Sequence, residues 1–252
     1  MKALITGASS GIGYSMAKYL SSLGYDLILV ARDKEKLQKI QKELKTDVKI
    51  VVADLQDESK IKELYVLCKN DNIDILINNA GFGLFGEFDK TDLSREIDMI
   101  NLNIKAVHIL TKLFLKDMVK RDSGFILNVS SSASFQAGPL MSTYYASKSY
   151  VTKLTEAIYE ELRRNKSNVH VSCLCPGPVK TNFNNVADVS FSMKGLDSDY
   201  VAKYAIDKML KKHKLVIIPG FKMKTIVFFN RFVSTKFALK TVYKFQKRKK
   251  KA

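Results

Sequence analysis

A glycine-rich turn stands between an apolar strand pattern and an amphipathic helix pattern at the start of the chain. The run from Lys2 to Thr6 predicts a buried strand, GASSGIG follows it, and apolar residues continue at helical spacing from Ile12 to Leu23. Glycines in such a turn let the backbone approach a phosphate, whose charge is met by amides at the helix N-terminus. The turn therefore predicts a nucleotide-binding βαβ unit, the alternative being a purely structural turn.

Apolar runs and helix patterns alternate along the rest of the chain. Further strands are predicted at Asp26–Ala31, Val48–Ala53, Ile73–Asn78, Phe125–Ser130, Val169–Leu174 and Lys214–Ile218. Helices are predicted at 33–45, 57–69, 93–120, 142–164 and 198–211. Continuous apolar strands separated by helices indicate a parallel sheet that is covered on both faces. We expect one α/β domain over residues 1–220, a doubly wound Rossmann-type sheet with helices on both faces.

The net charge of +17 is concentrated near the C-terminus. From Lys208 onward the sequence has fifteen Lys or Arg and no Asp or Glu, and subtracting these fifteen from +17 leaves +2 for the first 207 residues. A basic groove for nucleic acid in the main domain is therefore not expected. Three cysteines without paired-ligand spacing predict neither a disulfide framework nor a metal site. With no leader segment and no membrane-spanning run in the sequence, a cytoplasmic protein is expected.

One serine, one tyrosine and one lysine are spaced for proton transfer. Tyr144 and Lys148 are four residues apart, so both lie on one face of the predicted helix. A nearby ammonium favours the phenolate, and we expect it to lower the pKa of Tyr144 from its ordinary value of about 10. Ser131 ends an apolar strand thirteen residues earlier and could reach the same point. The alternative is that Tyr144 and Lys148 lie on an exposed helix face and have no catalytic role.

Six motifs together resemble the short-chain dehydrogenase/reductase family: TGASSGIG, the NNAG of Asn78–Gly81, Asn101, Ser131, YYASK and PGPVKT. They occur in the family's order and spacing from Met1 to about Gly220. The resemblance implies a seven-stranded parallel sheet of order 3-2-1-4-5-6-7. It also implies that Asn101, Ser131, Tyr144 and Lys148 are catalytic. In that scheme Ser131 binds the substrate oxygen, Tyr144 transfers the proton, Lys148 holds the nicotinamide ribose, and Asn101 positions a water.

The end of the second strand indicates which dinucleotide binds. An acid there would contact the adenosine ribose and repel a 2′-phosphate, but the sequence reads Ala31-Arg32-Asp33. Arg32 can bind phosphate with two hydrogen bonds, and Asp33 is expected to cap the next helix. The resemblance therefore suggests NADP(H). It implies these cofactor-binding residues: Gly7, Ser9, Ser10, Gly11, Ile12, Gly13, Arg32, Asp54, Leu55, Asn79, Ala80, Gly81, Tyr144, Lys148, Pro176, Gly177, Val179 and Thr181.

Apolar loops are expected to form the substrate pocket, although several of their aromatic residues could equally belong to the core. These loops are 82–85, 135–140 and the aperiodic stretch after Thr181, with Phe183, Val186, Phe191 and Met193. Such a pocket favours a hydrophobic ketone, a lipid-like chain or a polycyclic alcohol over a sugar.

Residues 221–252 form a basic, aromatic-rich extension that predicts an amphipathic helix. We expect it to pack on the domain or at a subunit interface; the alternative is contact with an anionic membrane surface. Nucleic acid is not expected as a partner. A homodimer through the long helices of residues 93–120 and 142–164 is expected.

The sequence thus predicts an NADP(H)-dependent oxidoreductase that transfers a hydride between nicotinamide and the carbonyl or secondary alcohol of a small, apolar molecule. Two alternatives stay open. The first is a hydroxysteroid-type dehydrogenase for a bulky alcohol, and the second is a catalytically idle dinucleotide sensor.

Overall fold

A seven-stranded parallel sheet of order β3-β2-β1-β4-β5-β6-β7 forms the centre of the computed structural model, which describes residues 1–181, Phe183 and residues 195–247. Its strands are β1 Lys2–Thr6, β2 Asp26–Ala31, β3 Val48–Val52, β4 Ile75–Asn78, β5 Gly124–Val129, β6 Val169–Leu174 and β7 Val216–Ile217. The predicted fold class and strand order are confirmed. The order reverses between β1 and β4, and ligands of such sheets bind beside that point.

The central strands are buried on both faces because the side chains at successive middle positions are apolar. In β1, Ala3, Leu4 and Ile5 have no exposed surface, and Ile5 pairs in register with Leu29 of β2 and Ile77 of β4. Ile5 belongs to the core on one side of the sheet, while Leu4 belongs to the core on the other. This two-sided burial explains why these runs are continuously apolar instead of alternating.

Helices cover both faces, and their bounds lie close to those predicted. They are α1 Gly11–Ser22, α2 Lys34–Glu43, α3 Glu58–Cys68, α4 Leu93–Ile100, α5 Val107–Lys120, α6 Ser142–Arg164 and α7 Ser198–Lys212. A 3-10 turn spans Ser132–Phe135. The Asp33 side chain accepts a hydrogen bond from the Lys36 amide at 3.0 Å, which confirms its predicted role as a helix cap.

The predicted helix over residues 93–120 is interrupted. A π-helical segment, Asn101–Ala106, separates α4 from α5. Such a segment contains extra residues per turn, and it often occurs at functional sites. It contains Asn101 and Asn103, of which only Asn103 is buried.

A buried chain of polar side chains fixes α5 and α6 on the sheet. The side-chain Nδ2 of Asn78 donates to Asn128 Oδ1 at 2.9 Å and to Thr111 Oγ1 at 3.0 Å. The side-chain Nδ2 of Asn128 donates to Thr155 Oγ1 at 3.0 Å. These residues lie on β4, β5, α5 and α6. Because unpaired polar groups are costly inside a protein, the chain favours a single placement of both helices.

The C-terminal extension folds into two helices instead of the one predicted. They are α8 Phe221–Asn230 and α9 Thr235–Lys247. The side-chain Nδ2 of Asn230 donates to the Phe135 carbonyl at 3.1 Å, and the side-chain Nε2 of Gln246 donates to Tyr145 Oη at 2.6 Å. Both contacts are made to the region that contains Ser131, Tyr144 and Lys148. None of the described helices combines the length and the hydropathy needed to cross a bilayer.

Candidate active site

A cavity of about 800 Å³ lies at the carboxyl ends of the strands. Residues that follow β1 to β6 line it, and α8 and α9 contribute to it from the opposite side. Its volume falls within the range of about 300–1,000 Å³ that is usual for small-molecule sites. Every residue predicted to bind cofactor lines this cavity except Gly13, which stands in the wall behind it.

The glycine turn presents the N-terminus of α1 to the cavity. Gly7 has φ +64°, in the left-handed region, and a Cβ on Gly13 would stand 2.4 Å from the Gly7 carbonyl oxygen. No side chain caps α1, and its first turn holds no acidic residue. Uncapped amides at the positive end of a helix are suited to bind an anion. The turn therefore fits the pyrophosphate of a dinucleotide.

Asn79 fastens the turn to β4. Its side-chain amide donates to the carbonyls of Thr6 at 3.0 Å and Gly7 at 3.1 Å, while the amides of Asn79 and Ala80 donate to Thr6 Oγ1. These bonds occupy the donor hydrogens of the Asn79 side chain. Asn79 lines the cavity, but its main contribution is to hold the phosphate-facing turn in place.

Ser131, Tyr144 and Lys148 meet inside the cavity. Ser131 follows β5 and starts the 3-10 turn, its hydroxyl accepting from the Ala133 amide at 3.1 Å, and a hydrogen bond joins the hydroxyls of Ser131 and Tyr144. Lys148 Nζ donates to the Val129 carbonyl at 2.9 Å and lies 6.0 Å from the centre of the Tyr144 ring. Among the described residues no other acceptor bonds Nζ, so its remaining hydrogens are available to ribose hydroxyls.

Burial shifts both titrating groups of this cluster toward their neutral forms. It raises the pKa of Tyr144 to about 12, although the hydrogen bond from Ser131 opposes that shift. It lowers the pKa of Lys148 to about 8. The prediction that Lys148 lowers the pKa of Tyr144 is therefore wrong for these protein surroundings, because desolvation of the phenolate dominates. Tyr144 therefore holds its proton at neutral pH.

The asparagine beside Lys148 is Asn103, and the placement of Asn101 in this cluster is corrected. Asn101 does not line the cavity; with Lys60 and Asp98 it lines a neighbouring depression, which shares Arg32 and Asp54 with the cavity. Asn103 is fully buried: its Oδ1 accepts from the Phe82 amide at 3.1 Å, and its Nδ2 donates to the Phe82 carbonyl at 2.9 Å and to Ser147 Oγ at 3.1 Å.

Gly81 shows how close Asn103 and Lys148 are. A Cβ on Gly81 would lie 2.8 Å from Asn103 Oδ1 and 3.3 Å from Lys148 Nζ. Helical spacing in the sequence could have indicated Asn103. Met99, Asn103 and Ala106 are spaced to lie on one side of a helix and are all buried, whereas Asn101 does not belong to that set.

Arg32 and Asp54 lie at the adenosine end of the cavity. The Arg32 guanidinium is 69% exposed and lies 3.8 Å from the Asp54 carboxylate. An exposed pair at this distance is weak, so a phosphate dianion can displace the carboxylate from the guanidinium. Ala31 leaves this end without an acid on β2, and Leu55 supplies a buried apolar surface beside Asp54.

The far end of the cavity is apolar. Phe82 and Phe135 line it as predicted, and Phe183 lies 5.5 Å from the Tyr144 ring centre to centre. Leu84 and Phe85 instead pack behind it, against the cluster around Phe82. Val186, Phe191 and Met193, with most of the predicted loop after Thr181, fall outside the described residues. The sequence did not predict the roof of the cavity. Helices α8 and α9 and the turn between them form it, with Met223, Ile226, Val227, Phe229, Val233, Phe237, Val242 and Phe245.

Comparison with known proteins supplies the deciding observation: the family model of short chain dehydrogenases matches residues 1–189. The chain belongs to the short-chain dehydrogenase family. It is an oxidoreductase that uses a nicotinamide cofactor, and the glycine turn, the uncapped helix and the free hydrogens of Lys148 fit that group. When bound, the cofactor supplies the hydride chemistry. No group of three His, Cys, Asp or Glu suited to a metal ion occurs in the described ranges.

Two relatives and one solved structure illustrate the similarity. The chain is 32% identical over 202 residues to an uncharacterised oxidoreductase of Staphylococcus epidermidis, covering 79% of this chain and 86% of that one. It is 33% identical over 198 residues to the very-long-chain 3-oxoacyl-CoA reductase of Anas platyrhynchos, covering 75% of this chain and 63% of that one. A short-chain dehydrogenase from Sphingobium yanoikuyae in complex with NADPH matches with a TM-score of 0.81 and 30% identity, covering 87% and 88% of the two chains.

Proposed function

We propose that this chain is an NADP(H)-dependent reductase of an apolar carbonyl compound. The observation that carries the proposal is the meeting of Ser131, Tyr144 and Lys148 in one cavity with the uncapped start of α1. The start of α1 would hold a dinucleotide in the same cavity as a substrate that contacts Tyr144, and the bound cofactor would supply the hydride. Asn103 takes the place predicted for Asn101 and holds the backbone of Phe82.

Proton transfer favours the direction of reduction. With its pKa raised to about 12, Tyr144 is protonated at neutral pH and can donate to the oxygen of a carbonyl that is being reduced. The Ser131 hydroxyl, bonded to that of Tyr144, is placed to bind the same oxygen. Lys148 is mostly cationic at pH 7, because its pKa is about 8, and it holds the ribose side of the site.

The substrate class follows from the apolar end of the cavity. Phe82, Phe135 and Phe183 face an apolar roof that comes from α8 and α9. A sugar would leave its hydroxyls without partners there, whereas a long acyl chain or a bulky ketone would bury apolar surface. The name of the Anas platyrhynchos relative, very-long-chain 3-oxoacyl-CoA reductase, supports a substrate with a long acyl chain. A hydroxysteroid-type alcohol is the alternative of similar apolar character.

Variants of Arg32 test the cofactor preference. Replacement Arg32→Ala removes a guanidinium that can bind the 2′-phosphate, so we expect KM for NADPH to rise at least about tenfold while KM for NADH changes less than about twofold. Lys34→Ala, which removes an exposed cation two residues away on α2, is the matched control. Equal effects of Arg32→Ala on both coenzymes would remove the NADP(H) assignment.

Replacement Tyr144→Phe tests the chemistry. The variant keeps the ring and its contact with Phe183 but loses the transferable proton. We expect NADPH oxidation with medium-chain ketones and 3-oxoacyl thioesters to fall by about three orders of magnitude or more, with NADPH affinity unchanged. The neighbouring Tyr145→Phe is the control. Full activity of Tyr144→Phe contradicts the proposal, and silence of the wild type over a broad carbonyl panel favours a dinucleotide sensor.

A homodimer is part of the same proposal. Leu93 and Ile97 of α4 and Tyr150 of α6 are exposed apolar residues on the helices that we expect to pair. Light scattering after gel filtration should give about twice the mass of one chain. A monomer at micromolar concentration would refute the expected pairing.

A further inference from the structure

The outer faces of α8 and α9 and of the turn between them combine exposed aromatic residues with cations. We name this the C-terminal surface. Its most exposed apolar side chains are Phe221, Phe228, Phe229, Phe232 and Phe237, of which Phe221 is 83% and Phe232 75% exposed. Its exposed cations are Lys222, Arg231, Lys236, Lys240 and Lys244. Exposed apolar patches on this scale mark an interaction site.

Packing on the domain does not account for the composition of α8. Val227 faces the protein and is buried, yet Phe221, Phe228 and Phe229 point to solvent from the same helix. A helix that carries large apolar residues on its outer side as well as its inner side is typical of a partly nonpolar environment on the outer side. α8 is therefore suited to an apolar partner beyond the described protein surface, with Lys222 at the edge of the contact.

The charge of the C-terminal surface indicates which partner that is. No Asp or Glu occurs from Lys208 to the end of the sequence. Within the described residues, none of the five cations lies within 4.0 Å of a carboxylate. A second copy that docked through the same surface would place cations against cations. An anionic lipid surface instead accepts phenylalanines below its headgroups and lysines at its phosphates.

The mouth of the active-site cavity opens in the same surface. Ile226, Phe229 and Phe237 line the cavity and are nevertheless more than half exposed. Their side chains therefore form the rim through which an apolar molecule would pass. A protein that docks by these helices has its cavity mouth against the lipid.

We propose that the C-terminal surface docks on anionic lipid membranes, with the cavity mouth facing the bilayer. The proposal rests on these helices and their charge and does not depend on the substrate or on the cofactor preference. It predicts a binding mode that needs both the phenylalanines and the lysines.

Vesicle co-sedimentation of the full chain tests the proposal. The probes are phosphatidylcholine vesicles with and without 30% phosphatidylglycerol, a composition chosen at roughly physiological anionic content. We expect binding to the anionic vesicles that falls at least about tenfold when ionic strength is raised from about 0.1 M to about 0.5 M. Neutral vesicles should bind at least about tenfold more weakly.

Two sets of variants separate the contributions of charge and apolar contact. The triple variant K236Q/K240Q/K244Q should bind anionic vesicles about 100-fold more weakly. Its control, K112Q/K116Q/K120Q, removes three exposed lysines at the same spacing from α5 and should bind like wild type. The triple variant F221S/F228S/F232S changes residues outside the cavity lining and should also bind at least about tenfold more weakly.

The control for the phenylalanines is V66S/L67S, which replaces exposed apolar residues of α3. Circular dichroism and the melting temperature show whether each variant is folded, and turnover of a short, water-soluble ketone shows whether the cavity is intact.

Four results would overturn the proposal. The first is absence of binding to anionic vesicles by the folded wild type. The second is equal loss of binding in the α5 control, which would indicate nonspecific charge attraction. The third is that F221S/F228S/F232S has a lower molecular mass in solution than wild type, while wild type binds no vesicles. This result would assign the surface to contact with a second copy of the chain. Stronger binding to a DNA duplex than to anionic vesicles at equal salt would likewise overturn it.

Discussion

Replacement of Asn103 by alanine tests the corrected position of the asparagine beside Lys148. Asn103 has no exposed surface, and its side chain satisfies both backbone groups of Phe82, at 3.1 Å and 2.9 Å. In Asn103→Ala the Phe82 amide and carbonyl lose their partners, while Ser147 keeps its bond to the Tyr144 carbonyl at 2.7 Å. Each buried group without a partner costs about 1–3 kcal/mol.

The expected loss in the free energy of unfolding is therefore about 3 kcal/mol. For a chain of this size each kcal/mol lowers the melting temperature by about 2–4 °C, so Asn103→Ala should melt about 6–12 °C lower. Phe82 lines the cavity, and its displacement should reduce kcat/KM by about 10–100-fold. Differential scanning calorimetry and steady-state NADPH oxidation measure the two effects.

Asn101→Ala is the matched control, because Asn101 lies outside the cavity and makes none of these bonds. It should change the unfolding free energy by no more than about 0.5 kcal/mol and leave turnover unchanged. A larger loss of activity in Asn101→Ala than in Asn103→Ala would refute the structural assignment and restore the one made from sequence.

Three further predictions concern the proton cluster and the glycine turn. The rate of carbonyl reduction should be constant up to about pH 7 and fall as the pH rises through about 8. Lys148 loses its proton there, while Tyr144, with a pKa of about 12, keeps its own. A rate that falls toward acid pH would contradict this prediction. The pKa of Lys148 in the folded protein lies below its ordinary 10.5, so burial of this lysine lowers the stability below pH 8, and this destabilisation fades as the pH rises toward 10.5. Lys148→Met should therefore raise the unfolding free energy at pH 7 by about 2 kcal/mol, as measured by calorimetry. The same variant should show no turnover in an NADPH oxidation assay. Gly13→Ala should abolish NADPH binding in a fluorescence titration, because its Cβ would lie 2.4 Å from the Gly7 carbonyl oxygen, whereas Gly24→Ala, with no atom within 4 Å, should bind normally despite its strained backbone.

Periodicity made the fold predictable. The apolar runs of β1, β2 and β6 are buried over their lengths, so the sequence pattern marked them at their observed bounds. The helix of residues 93–120 was predicted less well, because a π-helical segment that the apolar pattern does not indicate interrupts it. A two-residue difference, Asn101 against Asn103, then separates a side chain in a surface depression from one that is fully buried beside Lys148.

The electrostatic state of the cluster could not be predicted from spacing. The separation of Tyr144 and Lys148 correctly placed them on one helix face, but it suggested an acidified tyrosine. Burial has the opposite effect, because a desolvated phenolate is more costly than a distant ammonium can offset, and the pKa of Tyr144 rises to about 12. Burial depends on the packing of Phe82, Met99 and Phe183 with Tyr144, and the local sequence does not show that these distant residues meet.

The sequence by itself determined the sheet, the phosphate-facing turn and the identity of Ser131, Tyr144 and Lys148, since each depends on local pattern and on residue type. Tertiary structure decided that Asn103 and not Asn101 stands beside Lys148, how the tyrosine titrates, and that α8 and α9 form the cavity roof. Those features depend on which groups distant segments bring together and how much water they exclude, and hydrogen bonding and desolvation act only once that packing exists.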